Sequence, residues 1–242
     1  MLKRLARLTD FLTSRSAGGG GMLAQTTCRY ERWQKKAQSG ELEFHRRDKW
    51  RPSDNFAKRT AALFEHFGFR PDQYAGKTVI DIGAGSRLRT KFFRGADLIA
   101  IEPLADRFRQ EIAWCDLNDA AEVFSLPAEE FIEACEARGD LVISINVLDH
   151  CFDFAKIVAN LARYVRADGQ LFLSFDKHAK ADALHPLTLD ETVCRQIFED
   201  CGLSIERCTT GFGEMWDGPP TYGHGPYAMN YWLRCARAAS TQ

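Results

Sequence analysis

The chain has 242 residues, of which 45% are hydrophobic, and this is enough to bury the core of one α/β-sized domain. Its formal net charge of -1 excludes the strongly basic surface of a general nucleic-acid binder, so we expect no DNA partner. Eight cysteines are scattered without a CxxC pair, which favours small core residues in a reducing compartment, the cytoplasm, over disulfides or a zinc site.

Residues 1–28 are predicted to form a flexible leader. Met1–Arg15 is suited to a short basic amphipathic helix, and the glycines of Ser16–Gly21 should break it. The apolar residues of this segment are too few and too interrupted to cross a bilayer, and we expect no transmembrane segment in the chain. Because the segment is basic, a membrane-surface anchor or an organelle-targeting sequence is the alternative interpretation.

Residues 29–76 are predicted to form a helical N-terminal segment. Arg29–Lys49 is basic and aromatic, and its composition favours a helix. Ser53 is placed to cap a second helix, whose apolar periodicity ends at Gly68, a typical C-cap residue.

From residue 77 to residue 242, short apolar runs alternate with stretches long enough for helices. The runs are mostly rich in β-branched or aromatic residues and nearly continuous in hydrophobicity, as expected of parallel strands buried on both faces. This part therefore predicts an α/β fold, with a doubly wound, Rossmann-like and mainly parallel sheet and a C-terminal antiparallel hairpin. The predicted strands are Thr78–Ile82, Leu98–Glu102, Glu122–Leu126, Leu141–Val147, Gln170–Phe175, Ser204–Cys208 and Tyr227–Arg234.

Two of the connecting helices have recognisable beginnings. Asp153 is a candidate N-cap for the helix that follows the fourth strand. A basic run of Arg87, Arg89, Lys91 and Arg94 follows the first strand and is predicted to open the first helix of the sheet domain.

A glycine turn follows the first strand and has an acid before it. In a doubly wound sheet the ligand lies outside the carboxyl ends of the strands, where Gly83-Ala84-Gly85 falls. Leu88 stands where the dinucleotide pattern G-x-G-x-x-G requires its third glycine, so that pattern fails. The carboxylate of Asp81 would repel a pyrophosphate, so a ligand that carries a positive charge fits better.

The stretch Val79–Gly85 resembles the first motif of the class I S-adenosylmethionine-dependent methyltransferases, within which the chain is methyltransferase-11-like. The family pattern is apolar-apolar-Asp-x-Gly-x-Gly-x-Gly, and Arg87 replaces its third glycine. The resemblance extends over Lys77–Phe175 with its further motifs in order.

This resemblance implies S-adenosyl-L-methionine as the cofactor and assigns its contacts. Glu102, before Pro103, would accept hydrogen bonds from the two ribose hydroxyls, and the segment 29–76 would cover the cofactor as a lid. The loop with Ala128 and Glu129 would contact the adenine, although Pro127 replaces the common aspartate of that loop. The cofactor-binding residues so predicted are Asp81, Gly83, Ala84, Gly85, Glu102, Pro103, Ala128, Glu129, Asn146 and Val147, the last two beside the methionine end.

Histidines and acids near the carboxyl ends of strands are the candidates for catalysis. Methyl transfer to a hydroxyl benefits from a general base, and His150, beside Asp149, follows the fourth strand. A structural or helix-capping imidazole is the alternative for His150. Asp176 and His178 follow the fifth strand and form a second candidate cluster, while His224 lies in a glycine-rich loop near the C-terminus.

The loop from Asp176 to His185 could orient a base or hold a divalent cation, but carboxylates and imidazoles in loops are usually hydrated. We therefore assign no metal ligand from the sequence.

The predicted acceptor is a hydroxyl of a saccharide or another small molecule. This rests on a loose similarity to bacterial saccharide and small-molecule O-methyltransferases, carried by Glu41–His45 together with Asn146–His150. An RNA or protein methyltransferase is one alternative, although Asn146–Asp149 is not an amino-methylating N/D-P-P-Y/F motif. A cofactor-binding but inactive module that serves a partner is another, and the sequence leaves the oligomeric state open.

Overall fold

A computed structural model describes residues 19–49, 52–177, 181, 185–212 and 229–238. Within these ranges the chain forms a seven-stranded sheet with the order β3-β2-β1-β4-β5-β7-β6. The strands are β1 Thr78–Ile82, β2 Asp97–Ile101, β3 Glu122–Phe124, β4 Gly139–Ile145, β5 Val165–Lys177, β6 Leu203–Phe212 and β7 Met229–Arg237.

The pairing of the strands confirms the predicted fold class. Strands β1 to β5 pair in parallel, whereas β7 is antiparallel to both β5 and β6. The predicted C-terminal hairpin is therefore present. Because β7 lies between β5 and β6, the strand order of this sheet differs from the order 3-2-1-4-5-6 of dinucleotide-binding sheets. Strand β6 continues to Phe212, four residues beyond the predicted end at Cys208.

Helices pack on both faces of the sheet. In chain order they are α1 Gly19–Arg47, α2 Asp54–His66, α3 Ala105–Glu111, α4 Phe154–Tyr164 and α5 Glu191–Asp200. Helix α1 begins at Gly19, so the glycine run that was predicted to end a helix lies partly inside one. The same helix joins residues 19–28 of the predicted leader to the predicted lid. Residues 1–18 lie outside the described part of the chain. The division into leader, lid and sheet domain stays a prediction.

The predicted ends of two helices are confirmed. The carboxylate of Asp153 accepts a hydrogen bond from the backbone N–H of Lys156 at the start of α4. Helix α2 begins after Ser53, and Gly68 closes it with a φ of +83°, a left-handed conformation that glycine adopts at low cost.

The helix predicted after β1 is wrong, because only a 3-10 turn, Arg89–Phe92, forms there. Long-range side-chain hydrogen bonds fix this segment locally. The Leu88 N–H donates to Asp116 at 2.7 Å, and the Thr90 hydroxyl donates to Asp81 at 2.8 Å. These contacts hold the segment against the sheet as a 3-10 turn, in place of a regular α-helix.

Two apolar clusters cover the two faces of the sheet. One packs α4 and α5 against it, and the other packs α2 and α3 and contains a group of aromatic side chains, Phe64, Phe69, Phe93 and Phe172. The seven cysteines whose side chains are described are free thiols, and four of them are buried, in agreement with the prediction of core residues. Among the described residues, no helix is long and apolar enough to cross a membrane.

Candidate functional site

The glycine turn after β1 is in direct contact with the acid that follows β2. The Gly85 N–H donates a hydrogen bond to Glu102 Oε2 at 3.0 Å, and the Leu104 N–H donates to Glu102 Oε1 at 3.0 Å. The Gly83 N–H donates to the carbonyl of Ile101 at 2.7 Å. The carboxyl ends of β1 and β2 therefore carry a shared backbone cradle with one carboxylate in it.

The carboxyl group of Glu102 in this cradle and that of Asp81 within β1 are both buried. Glu102 is 5% exposed, and burial raises the pKa of its carboxyl group to about 7, against the opposing effect of its two backbone N–H donors. Burial likewise raises the pKa of Asp81 to about 6, although the Thr90 hydroxyl bound to it acts in the opposite direction. The site thus holds two carboxyl groups whose ionised forms are disfavoured until a charged or donating partner arrives.

The raised pKa of Glu102 predicts a pH dependence of stability. The folded chain keeps this proton between the ordinary glutamate value of 4.5 and about pH 7, where the unfolded chain releases it. The stabilisation is therefore complete below pH 4.5 and is lost as the pH rises through about 7. Relative to Glu102→Gln, the wild type should lose on the order of 3 kcal/mol of unfolding free energy across this range, measured by urea denaturation. Parallel curves would mean that Glu102 titrates normally.

The ends of β1 and β4 meet at Gly83 and Val147. A Cβ atom on Gly83 would lie 2.3 Å from Val147 Cγ2, and the residue has a φ of +70°, so only glycine fits there. Asn146 has a φ of +57°, and its N–H donates to the carbonyl of Ser174 at 3.0 Å. Its Oδ1 atom is buried without a hydrogen-bond partner in the described chain, an unfavourable state that a donor from a ligand would relieve.

Helix α1 covers the glycine turn through His45, a residue that the sequence analysis did not place there. His45 is 1% exposed, and its Nε2 lies 3.0 Å from Glu41 Oε1. Its Nδ1 is hydrogen-bonded to the hydroxyl of Ser86. A Cβ atom added to Gly85 would lie 3.2 Å from the Cε1 atom of His45. The i, i+4 pair of Glu41 and His45 was visible in the sequence, but nothing local indicated a contact 41 positions away.

The same helix also reaches the other side of the site. The ring centroids of Trp33 and Phe152 are 5.7 Å apart, and Phe152 lies in the loop that follows β4. Helix α1 therefore extends from the loop after β4 to the turn after β1. This placement is compatible with the predicted lid.

The residues predicted to contact an adenine make contacts within the protein. Glu129 is buried, and its carboxylate accepts a hydrogen bond from the Phe152 N–H at 3.0 Å. The carbonyl of Ala128 accepts from the Asn160 amide at 2.9 Å, and the carbonyl of Pro103 accepts from the Ser125 hydroxyl at 3.4 Å. These bonds fix the loops after β2 and β3, and the adenine contacts remain a prediction.

Three polar side chains come together at the carboxyl ends of β4 and β5. Asp149 is fully buried in the 3-10 turn Leu148–His150, and its Oδ2 lies 3.6 Å from His150 Nε2. The rings of His150 and His185 have their centroids 4.5 Å apart. Asp149 and His150 were predicted as a pair, whereas the contact with His185 was not.

Of the other predicted catalytic residues, the structure describes only Asp176. Asp176 lies near the end of β5, half-buried and paired in register with Asn230 of β7. His178 and His224 lie outside the described residues.

Comparisons with known proteins found curated relatives that match part of the chain and solved structures with a similar fold. No family model matches the chain. Ubiquinone biosynthesis O-methyltransferase of Pseudomonas paraeruginosa is 30% identical to it over 106 residues, 41% of this chain and 44% of that protein, and the Pseudomonas aeruginosa protein of that name matches to the same extent. The chain therefore matches less than half the length of these curated relatives.

Solved structures resemble the chain over a larger part of its length. Burkholderia thailandensis 1,6-didemethyltoxoflavin-N1-methyltransferase, solved with 1,6-didemethyltoxoflavin and S-adenosylhomocysteine, has a TM-score of 0.52 and 17% identity and covers 93% of both chains. Mitomycin 7-O-methyltransferase has a TM-score of 0.52 and 20% identity and covers 76% of this chain and 53% of its own.

The chain has the class I methyltransferase fold. In this methyltransferase fold, the predicted cofactor residues Asp81, Gly83, Gly85, Glu102 and Asn146 all lie at or near the carboxyl ends of β1, β2 and β4. The ligand edge of a doubly wound sheet is the same edge. The polar group of Asp149, His150 and His185 lies farther along it, after β4 and β5.

Proposed function

We propose that this chain transfers the methyl group of S-adenosylmethionine to a hydroxyl group of a small molecule, with a saccharide as the leading candidate. The observation that carries the proposal is the cradle of Gly85 and Glu102, in which a buried carboxylate is held beside a glycine turn at the ligand edge of the sheet. The O-methyltransferases that match part of the chain support the same chemistry.

The residues of the cradle fit this cofactor. The carboxylate of Glu102 is an acceptor for the two ribose hydroxyls, and the buried Oδ1 of Asn146 offers an acceptor to the methionine ammonium group. A positively charged ligand also favours ionised Asp81. When it is bound, the sulfonium group supplies an activated methyl for direct displacement.

The chain would contribute alignment and proton removal. We propose that His150 accepts the proton of the acceptor hydroxyl on Nδ1, the ring nitrogen that does not face Asp149, while the new O–CH₃ bond forms and the S–CH₃ bond breaks, leaving a thioether. The carboxylate of Asp149, 3.6 Å away and fully buried, would orient the imidazole and stabilise its protonated form. Asp149 acts here as a positioning residue.

The proposed acceptor rests on the charge of the chain and on the similarity of two sequence segments. The balanced charge of the chain gives little support to an RNA substrate, and the saccharide rests on the similarity carried by Glu41–His45 and Asn146–His150. His45, however, packs on the glycine turn, so the first of these segments supports cofactor binding more directly than acceptor choice. Free, partly buried thiols agree with a reducing compartment, and we propose the cytoplasm.

The Glu102→Ala variant tests the cradle. Loss of a carboxylate that accepts two hydroxyl donors should weaken S-adenosylmethionine binding by roughly 1.5 to 3 kcal/mol in calorimetry. Because binding needs the ionised form, wild-type affinity should also rise with pH through about 7, the pKa of Glu102. The exposed Glu65→Ala on α2 is the matched control and should bind normally. Unchanged affinity in a folded Glu102→Ala protein would remove Glu102 from the site.

Turnover separates the enzyme from an inactive cofactor-binding module. The full chain with radiolabelled S-adenosylmethionine should methylate a fraction of a bacterial small-molecule or saccharide extract, and the product should keep its label under conditions that hydrolyse methyl esters. Cofactor binding without transfer to any acceptor class would favour the inactive module, and label only in RNA or protein would overturn the proposed acceptor.

A further inference from the structure

The polar group after β4 and β5 contains the ligand types of a transition-metal site. Asp149, His150 and His185 each offer one nitrogen or oxygen atom, and these three atoms all lie within 4.8 Å of one another. We infer that these residues form a binding site for a divalent transition-metal ion such as Zn²⁺ or Co²⁺. The inference concerns binding and does not depend on the proposed methyl transfer.

The distances are close to those that such an ion requires. Zn²⁺ binds imidazole nitrogen and carboxylate oxygen at about 2.0–2.2 Å, so neighbouring ligand atoms in a tetrahedral site lie about 3.3–3.6 Å apart. Asp149 Oδ2 and His150 Nε2 are already 3.6 Å apart. The ligand atom of His185 lies within 4.8 Å of the other two, so these distances must shorten by at most about 1.2 Å to reach about 3.6 Å.

The burial of the three residues suits an open site. Asp149 is 0% exposed and anchors the group from the protein side. The side chain of His150 is 34% exposed and His185 is half-buried, so the outer side of the group faces solvent. Three protein ligands with a free outer position are typical of zinc sites that bind an exchangeable ligand, rather than of closed structural sites.

The ligand types also predict selectivity. Two imidazoles and one carboxylate favour Zn²⁺, Co²⁺ or Ni²⁺, whereas Mg²⁺ and Ca²⁺ prefer oxygen ligands alone. The sequence analysis considered a cation in the loop from Asp176 to His185 and assigned none. The set inferred here takes only His185 from that loop and combines it with two residues after β4.

Cobalt binding to the reduced full-length chain, without cofactor or acceptor, tests the inference. We expect one equivalent of Co²⁺ to produce a visible d–d absorption that Zn²⁺ removes and millimolar Mg²⁺ does not. His150→Ala and His185→Ala should each weaken binding by roughly tenfold or more, since even loss of a supporting residue costs about that much. His66→Ala, an exposed histidine at the end of α2, is the control and should bind as the wild type does.

Several outcomes would overturn the inferred site. No binding by a folded wild-type chain would do so, as would unchanged affinity in both histidine variants. A thiolate-to-cobalt charge-transfer band would place the ion on cysteines instead. Circular dichroism of each variant separates a lost ligand from a lost fold.

Activity provides a second measurement, which rests on the proposed function. An imidazole that binds an ion through Nε2 keeps its own proton on Nδ1 and cannot accept another, so Zn²⁺ should suppress methyl transfer and a chelator should restore it. The ratio of the rates with and without Zn²⁺ should move toward one in His185→Ala, and an unchanged ratio would contradict the site. Cobalt binding in a chain that transfers no methyl group would refute the proposed function and leave the site intact.

Discussion

Replacing His150 by alanine should lower the maximal rate of methyl transfer by roughly a hundredfold or more at saturating cofactor, the usual effect of losing a general base. Its imidazole lies after β4, beside the buried carboxylate of Asp149 and open on one side to solvent. Cofactor affinity should change little, because among the described residues His150 forms no hydrogen bond with Gly85 or Glu102. Steady-state kinetics with calorimetry on the same protein would measure both quantities.

The pH dependence of the rate distinguishes a base from a residue that only supports the loop. A base that removes the acceptor's proton makes the rate at saturating cofactor depend on pH, and the residual rate of His150→Ala should lose this dependence. His66→Ala controls for general loss of an exposed imidazole. A fully active His150→Ala enzyme with an unaltered pH profile would contradict the assignment and would leave alignment alone, or a base in the loop from Asp176 to His185, as the mechanism.

Gly83→Ala should weaken cofactor binding by roughly a hundredfold or more, because displacements of about 1 Å can cost that much in a positioned site. The new Cβ would lie 2.3 Å from Val147 Cγ2 and 2.7 Å from its Cγ1, so the ends of β1 and β4 must separate. The φ of +70° adds a backbone cost of about 1–2 kcal/mol for a non-glycine residue. Calorimetry and urea denaturation would measure both effects.

Two further variants isolate the contact with Val147 from backbone strain. Gly68→Ala has a similar φ of +83° but no atom within 4 Å of its Cβ position, so it should lose stability without losing cofactor affinity. Adding Val147→Ala to Gly83→Ala removes the two colliding methyl groups and should recover part of the affinity. If Gly83→Ala binds the cofactor normally, the ligand lies elsewhere on the sheet.

The sequence by itself determined the features that depend on local chemistry. A nearly continuous run of β-branched residues predicted β1 at its observed bounds, because strands buried on both faces need mostly apolar residues. The cap at Asp153 and the end at Gly68 were predicted from side-chain and backbone hydrogen bonding within a few residues. Glu102, at the end of the second predicted strand, was identified through the resemblance to class I methyltransferases, which have a carboxylate at this place.

Only the tertiary structure decided which distant residues meet. Periodicity within α1 indicates a helix but not its partner, so the contact of His45 with Ser86 and Gly85 could not be foreseen. The same holds for His185 against His150 and for the entry of β7 between β5 and β6.

The wrong helix after β1 has the same cause. Helix propensity is a weak local preference, and here the bonds of Leu88 to Asp116 and of Thr90 to Asp81 override it. Asp116 lies 28 positions from Leu88, and Asp81 lies nine positions from Thr90 inside β1, so neither partner lies within the helix that the local pattern predicted. Local sequence patterns therefore identify individual residues of the site, while the packing between strands, helices and loops determines the distances between these residues.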